Sequence, residues 1–311
     1  MKKAVLVVLV LFVMFTLPAF GEPFNLEDSL SPLGQDTSML TGKDGTISKL
    51  KKMSVSNDDC VVYRFSFMSK GNSITGFAVI PHKAVNGDKL PVVVYGRGAN
   101  AKVKNEEIND RVLKRFQSMA VTNDYIFLAP ELRSVQGSDG TDTWGGAELN
   151  DYVAMVSLAK SLICTDANNI FFLGFSCGGT RAFMLAAMDV PFRGIISIAG
   201  ISDLYTQYPP ETDAKWKKVM QRLGVSREKN YETLSAVKWP DKIHTPLLIV
   251  QGDSDRTVSP LQSKTLAKEL EKLGKTYELA IIKGADHQLL FENPEEFDAV
   301  AFPWMEKTKQ K

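Results

Sequence analysis

The sequence predicts a mostly parallel, doubly wound α/β sheet that opens with an antiparallel hairpin. Two observations predict it. Short apolar strand segments alternate with helical segments over most of the chain, and the first two strand segments flank the short stretch Lys70–Ser73. Alternating strands and helices are typical of parallel sheets covered by their crossover helices, whereas so short a connection joins antiparallel neighbours.

The first two strand segments, 61–67 and 74–80, form the hairpin. The later strand segments are 92–95, 126–129, 170–173, 194–198, 247–250 and 279–282, and the predicted helices are 106–119, 147–162, 179–188, 260–273 and 294–307. The later strands are apolar runs of the kind buried on both faces of a sheet.

One segment departs from this alternation. Residues 201–243, with a helical stretch at Asp213–Leu223, are more than one crossover helix requires. Insertions of this kind often cover a functional site, and a surface excursion without a substrate role is the alternative.

The N-terminus has the pattern of a secretory signal peptide. Two lysines precede an apolar run from Ala4 to Leu17, and small residues at Ala19 and Gly21 suit cleavage before Glu22. The run of about 14 residues is shorter than the roughly 20 that span a bilayer. We therefore expect a secreted or periplasmic protein without stable membrane insertion after cleavage, and a retained N-terminal anchor is the alternative.

The predicted organisation is a signal peptide at 1–21, an N-terminal extension at 22–58 and an α/β domain at 59–311. The formal net charge is +1 and the basic residues are scattered, so no nucleic-acid partner is expected. The three histidines and three cysteines are not clustered, so no metal or other cofactor is expected. Pairing of Cys60 with Cys164 is left open.

The strongest local signal is Gly174-Phe175-Ser176-Cys177-Gly178-Gly179. It directly follows the strand at 170–173 and begins the helix near Gly179. A Gly-x-Ser-x-Gly turn between a strand and a helix is typical of a nucleophile elbow, which exposes the serine hydroxyl at the sheet edge. Ser176 is therefore the candidate nucleophile.

A serine hydroxyl needs a base, and in this chain order an acid and then a histidine follow. Asp253 and Asp255 follow the strand at 247–250, and His287 follows the next strand. Carboxyl ends of parallel strands meet at one edge of a sheet. We predict Asp255 and His287 as the acid and base, with Asp253 as a turn-forming residue.

The remaining histidines and Asp286 are assigned no role in the reaction. His82 and His244 precede strands, which places them at the opposite edge of the sheet. Asp286 adjoins His287 and is expected to be a loop carboxylate.

Donors for a tetrahedral oxyanion are expected from two loops. Cys177 supplies the backbone N–H after the nucleophile, and its thiol is expected to be a packing group. Arg97, in the loop after the strand at 92–95, supplies the second donor through its backbone, its guanidinium or both. The alternative is a tight glycine turn in which Arg97 pairs with a surface carboxylate.

A glycine-rich loop at 137–146 lies between Arg133 and Asp151 and contains Trp144. These three side chains are candidates for lining a pocket. We favour a structural role in which Asp151 binds the loop.

From about Leu90 to Met305 the chain resembles the catalytic domain of the prolyl oligopeptidase family of serine peptidases, within the α/β-hydrolase superfamily. The resemblance rests on Tyr95–Gly98, Ala129–Arg133, the Ser176 elbow, Thr245–Gly252, Asp255–Val258 and His287. It implies the α/β-hydrolase fold, a Ser176–Asp255–His287 triad, an oxyanion site at Arg97 and Cys177, and cleavage through an acyl-enzyme.

The chain also departs from the family pattern. Too few residues precede the first core strand to form the family's β-propeller, Arg97 replaces a tyrosine, and Gln251 replaces a commonly seen histidine. The expected substrate is a small peptide or an ester. A carboxylesterase or dienelactone-hydrolase-like esterase shares the fold and triad and is the alternative enzyme. A non-catalytic binding protein of this fold is the alternative of another class, and the oligomeric state is left open.

Overall fold

The computed structural model describes residues 44–98, 107–208 and 227–310. They form a nine-stranded sheet in the order β1-β2-β3-β5-β4-β6-β7-β8-β9. The strands are β1 Ile47–Lys52, β2 Cys60–Ser69, β3 Asn72–Pro81, β4 Leu90–Gly96, β5 Ile126–Pro130, β6 Thr165–Phe175, β7 Gly194–Ile198, β8 Leu247–Gly252 and β9 Tyr277–Ile282.

Helices connect most of these strands. They are α1 His82–Val85, α2 Asp110–Asn123, α3 Leu149–Ser161, α4 Cys177–Ala186, α5 Leu204–Gln207, α6 Arg227–Leu234, α7 Pro260–Lys272, α8 Leu289–Glu292 and α9 Pro294–Thr308, with 3₁₀ turns at Ala236–Lys238 and Pro240–Lys242. Within the described residues, no helix combines the length and apolarity needed to span a membrane. The alternation predicted from the sequence is confirmed.

The pairing changes once across the sheet, from antiparallel to parallel. Strands β1, β2, β3 and β5 pair antiparallel to their neighbours in that order, and all pairs from β5 through β4 to β9 are parallel. The predicted hairpin is the β2–β3 pair, with Tyr63 opposite Ala78. The parallel half therefore brings the carboxyl ends of β4, β6, β8 and β9 to one edge.

The core lies on both faces of the sheet. Val92 and Val94 of β4 pack into the cluster on one face, whereas Val93 and Tyr95 pack into the cluster on the other face. Each such aliphatic side chain contributes about 1.5–3 kcal/mol through burial. Burial on both faces is confirmed for the inner parallel strands.

The last strand corrects one prediction. The sequence predicts burial of β9 on both faces, but Ile281 is 38% exposed and Tyr277 and Leu279 are half-buried. The physical reason is its place in the sheet: β9 pairs with β8 and forms the outer edge, where fewer neighbours cover it.

Strand β1 lies inside the segment 22–58, for which the sequence predicts only an N-terminal extension. It pairs with β2, and its Lys49, Lys51 and Lys52 are exposed. Lysines on an edge strand oppose pairing with other chains. Residues 1–21 lie outside the described part of the chain.

Part of the insertion at 201–243 is described, and its predicted helix at Asp213–Leu223 lies outside the described residues. The start of the insertion is tied to α7 by Gln262, which is buried. Its Oε1 accepts the N–H of Ser202 at 2.9 Å, and its Nε2 donates to the carbonyl of Asp203 at 3.1 Å.

Candidate functional site

Ser176 occupies a strained turn between β6 and α4. Its φ of 54° and ψ of −115° lie where residues with a side chain are rare, and its N–H donates to the carbonyl of Ile198 at 2.8 Å. Such a conformation persists only when the surrounding structure holds it, and it aims the hydroxyl away from the sheet.

Close backbone packing explains two of the glycines around Ser176. A Cβ on Gly178 would lie 2.0 Å from the carbonyl oxygen of Gly96, and a Cβ on Gly98 would lie 3.1 Å from the Cβ of Ser176. The loop after β4 therefore lies directly against the turn that carries Ser176. A side chain at Gly178 would push these two loops apart.

The structure brings the three predicted residues together in a hydrogen-bonded chain. The Nε2 atom of His287 lies 2.9 Å from the Oγ of Ser176, and its Nδ1 atom lies 2.8 Å from Oδ2 of Asp255. The Asp255 side chain is fully buried and that of His287 is 14% exposed. With the proton on Nδ1, the imidazole donates to Asp255, and Nε2 is left to accept the serine proton.

The Asp255 carboxylate is held by donors on both oxygens. Oδ1 accepts the N–H groups of Thr257 at 2.8 Å and Val258 at 2.9 Å, while Oδ2 accepts from His287. Burial raises the pKa of Asp255, but the hydrogen bonds from His287 and Val258 outweigh burial and hold the pKa below its usual value. Asp255 is therefore ionised wherever a histidine titrates.

The competing carboxylates and histidines lie elsewhere. Asp253 is exposed, and its Oδ1 accepts the N–H of Gly284 at 2.7 Å, which joins two loops. Asp286 accepts the N–H of Gln288 at 2.7 Å within its own loop. His82 pairs through Nδ1 with the carbonyl of Asp58, and His244 is exposed before β8.

Arg97 does not pair with a surface carboxylate. Its Nη1 donates to Oε1 of Glu131 at 2.5 Å, and both side chains are buried. Glu131 also accepts the N–H of Leu132 at 2.8 Å and that of Ile108 at 2.9 Å. Glu131 thus ties the chain on both sides of residues 99–106, and the sequence carried no signal for this role.

Cys177 is the first residue of α4 and is half-buried. Cys60 and Cys164 are buried free thiols, so the structure does not contain the bridge that the sequence leaves open. Burial raises the pKa of the Cys164 thiol to about 11. Among the residues described, no group of three histidine, cysteine or acidic side chains is placed to hold a metal ion.

The side chain of Asp151 binds Ser69 and Arg133, not residues of the glycine-rich loop at 137–146 as favoured from the sequence. Arg133 donates from Nε to Oδ2 of Asp151 at 2.9 Å and from Nη2 to Oδ1 at 2.8 Å. Arg133 also donates to the carbonyl of Ala147 at 3.1 Å, and Trp144 is buried. A bidentate arginine–carboxylate pair fixes the relative orientation of its two side chains, which supports a structural role for Arg133 and Asp151.

A second buried ion cluster next to this loop is not predicted by the sequence. Arg181 of α4 is fully buried, and its Nη2 donates to Oδ1 of Asp142 at 2.8 Å. The Oε1 atom of Glu148 lies 3.9 Å from Nε of Arg181 and accepts the N–H groups of Gly145 and Gly146. Glu148 therefore organises the loop on the helix that follows Ser176.

Replacing Glu148 with glutamine is expected to lower the free energy of unfolding and to make it depend less on pH. Burial raises the pKa of Glu148, but attraction to Arg181 and the backbone donors outweigh it and set the pKa at about 2. In the unfolded chain a glutamate titrates at about pH 4.3. The ionised Glu148 therefore stabilises the fold above that pH, and this stabilisation is lost as the pH falls toward about 2.

The measurement is the melting temperature of wild type and Glu148→Gln between about pH 7 and pH 2. Breaking a buried ion pair costs about 3–5 kcal/mol, so the variant should have a lower melting temperature than wild type at neutral pH. Its melting temperature should also fall less than that of wild type on acidification. The exposed Glu271→Gln is the control. Parallel pH curves for wild type and Glu148→Gln would contradict the assignment.

The sheet order, the strained serine turn and the residues that follow β8 and β9 define this chain as an α/β-hydrolase. A profile of the prolyl oligopeptidase family matches residues 115–308, and the chain belongs to that family of serine peptidases.

Two peptidases are similar to this chain in sequence. Dipeptidyl-peptidase 5 of Porphyromonas gingivalis is 25% identical over 255 residues, which cover 78% of this chain and 36% of that protein. The uncharacterized peptidase YtmA of Bacillus subtilis is 26% identical over 220 residues, covering 70% of this chain and 82% of that protein.

Among solved structures, an acylaminoacyl peptidase of Pyrococcus horikoshii superimposes with a TM-score of 0.66 at 21% identity, covering 82% of this chain and 42% of the other. The chain thus spans well under half the length of the dipeptidyl-peptidase and of the acylaminoacyl peptidase.

Proposed function

We propose that this protein is a serine peptidase that cleaves small peptides through an acyl-enzyme. The observation that carries the proposal is the hydrogen-bonded chain from Ser176 through His287 to the buried, ionised Asp255. A serine whose hydroxyl contacts an imidazole, itself oriented by a carboxylate, is the arrangement that activates a hydroxyl for acyl transfer.

In the proposed reaction, Oγ of Ser176 bonds to the carbonyl carbon of the scissile group while its proton moves to Nε2 of His287. The tetrahedral intermediate collapses as His287 returns that proton to the leaving amine. Water then attacks the carbonyl carbon of the acyl-enzyme and gives its proton to His287. The second tetrahedral intermediate collapses as the bond between that carbon and Oγ breaks and His287 returns the proton to Oγ, which releases the carboxylic acid and restores Ser176. Asp255 stabilises the imidazolium that forms in both halves of the reaction.

The oxyanion of each tetrahedral intermediate needs fixed donors. We propose the backbone N–H of Cys177, at the start of α4, and that of Arg97, in the loop packed against Ser176. Nη1 of the Arg97 guanidinium is paired with Glu131, and we propose that this pair fixes the loop so that the backbone N–H is held in place. A removed oxyanion donor costs about 10²–10³ in kcat.

A peptide substrate is favoured by family membership and by relatives named as peptidases, although an esterase has the same core and triad order. The deciding experiment measures hydrolysis of a short-acyl nitrophenyl ester and a panel of aminoacyl and dipeptidyl nitroanilides, with Ser176→Ala as the blank. Anilide cleavage with kcat/KM near that for the ester supports a peptidase. Ester cleavage alone supports the esterase, and no cleavage together with no fluorophosphonate labelling supports a binding protein.

The proposed base makes the activity depend on pH. Protonated His287 cannot accept the serine proton, so kcat/KM is expected to fall when the pH is lowered from about 8 to 5. Asp255, with its lowered pKa, stays ionised over this range. Profiles with the ester at saturating and limiting concentration test this, and a flat kcat/KM profile would contradict the role of His287.

A further inference from the structure

Gln251 contacts the Asp255–His287 pair from inside the sheet. It lies in β8, immediately before Gly252, and its side chain is fully buried. Its Nε2 atom lies 3.0 Å from Oδ2 of Asp255, the same oxygen that accepts from Nδ1 of His287 at 2.8 Å. Its Oε1 accepts the hydroxyl of Ser263 in α7 at 3.0 Å.

The surroundings of Gln251 determine which way its amide faces. The Nε2 side meets three acceptors, namely Asp255 Oδ2 and the carbonyls of Gly252 and Val258, both at 3.3 Å. The Oε1 side meets the hydroxyl of Ser263, which is also fully buried. A flipped amide would place its oxygen against three acceptors, so the donor must face Asp255.

Gln251 completes the set of donors around the carboxylate. The backbone N–H groups of Thr257 and Val258 hold only Oδ1 of Asp255. The last torsion of an aspartate is broad, so a carboxylate held by one oxygen can still turn. A second donor on Oδ2 fixes the plane of the carboxylate and with it the direction in which His287 is held.

We propose that Gln251 is a positioning residue for the Ser176–His287–Asp255 reaction, anchored in turn by Ser263. The proposal rests on the proposed function above. Because an amide does not titrate, Gln251 donates to Asp255 at every pH at which His287 changes its charge.

The first test is Gln251→Met, which keeps the length of the side chain and removes both hydrogen-bonding groups. We expect kcat for the nitrophenyl ester to fall about 10- to 100-fold with KM little changed, by analogy with the loss of a hydrogen-bond partner that orients a metal-ligating side chain. The second-order rate of fluorophosphonate labelling at Ser176 should fall by a similar factor.

The chain offers a matched control in Gln117→Met. Gln117 is a buried glutamine of α2 whose Nε2 donates to the carbonyl of Val55 at 2.8 Å. The same chemical change there should lower the melting temperature and leave kcat within about twofold of wild type. The hydrogen bond that is lost contributes to stability but does not contact the Ser176, His287 and Asp255 side chains. Equal losses of kcat in the two folded variants would overturn the proposal.

A second variant, Gln251→Glu, gives a readout that a packing role would not move. Burial next to the ionised Asp255 raises the pKa of the new carboxyl, and while it is protonated it can still donate to Oδ2 of Asp255. As the pH rises, the new carboxyl ionises, loses its donor and repels Asp255. We therefore expect the ratio of kcat in Gln251→Glu to kcat in wild type to fall as the pH rises. A ratio that is independent of pH in the folded variant would overturn the proposal.

The two levels of inference are separated by measuring wild type and Ser176→Ala first. If wild type neither cleaves the ester nor reacts with fluorophosphonate, the proposed function fails. If wild type is active and the blank is not, while Gln251→Met matches wild type in kcat and melting temperature, the role of Gln251 alone fails.

Discussion

Ser176→Ala is expected to lower kcat for the nitrophenyl ester by about 10³ to 10⁶ and to abolish labelling by a fluorophosphonate. The loss is large because no acyl-enzyme can form without Oγ, while any residual rate comes from the oxyanion donors and substrate binding alone. KM should change little, since the hydroxyl acts mainly in the transition state. The measurement compares purified wild type and variant at equal protein concentration.

The substitution should leave the fold intact. Alanine keeps the Cβ that the strained turn at Ser176 already accommodates, and the 2.8 Å backbone bond to Ile198 does not involve the side chain. Melting temperatures within a few degrees of wild type are expected. Ser254→Ala is the matched control, because Ser254 is an exposed serine at the same sheet edge whose hydroxyl bonds only its neighbour Asp253 among the interactions described. Wild-type turnover in Ser176→Ala would refute the assignment of the nucleophile.

The parts of the fold that could be predicted are those set by local pattern. The apolar runs that became β4 to β8 are buried on both faces, and the turn at residues 70–71 joins the β2–β3 hairpin as expected. Strand β1 was missed because its lysines give no apolar alternation, although its pairing with β2 is clear in three dimensions. The exposure of β9 follows from its place in the sheet order, which no single segment encodes.

In the candidate site, too, some residues could be predicted from local sequence pattern and others could not. The proximity of Ser176, Asp255 and His287 could be predicted because each lies just after a recognisable strand, and the carboxyl ends of parallel strands meet at one edge. Glu131 could not be assigned a role because its partner Arg97 is distant in the chain. Gln251 could not be assigned one because its contact with Asp255 depends on how the loop after β8 folds back on that strand. Glu131 pairs with Arg97, and Gln251 is anchored by α7.

These supporting contacts place the reacting groups on rigid elements. The loop that carries Arg97 is held by a buried ion pair, and the Asp255 carboxylate is held between backbone and side-chain donors. Preorganised donors cost no reorganisation during the reaction, which is why such support contributes to rate. Disturbing the orientation of His287 should therefore have an effect second only to removing the nucleophile.

Asp255→Asn is expected to lower kcat by about 10⁴ with the fold retained. The backbone N–H groups of Thr257 and Val258 would hold the oxygen of the new amide at the Oδ1 position, which leaves its NH₂ group at the Oδ2 position. There the NH₂ group faces Nδ1 of His287, so the imidazole must accept at Nδ1 and carry its proton on Nε2. An Nε2–H cannot take the proton of Ser176.

Asp253→Asn is the matched control, two residues away on the same loop. Its carboxylate is exposed and accepts the N–H of Gly284, a bond that an amide oxygen can also accept. We expect its kcat within about threefold of wild type, since loss of an exposed charge costs little. If both variants lost activity equally, or if Asp255→Asn alone kept wild-type kcat, the hydrogen bond between Asp255 and His287 would not be what prepares the base for catalysis.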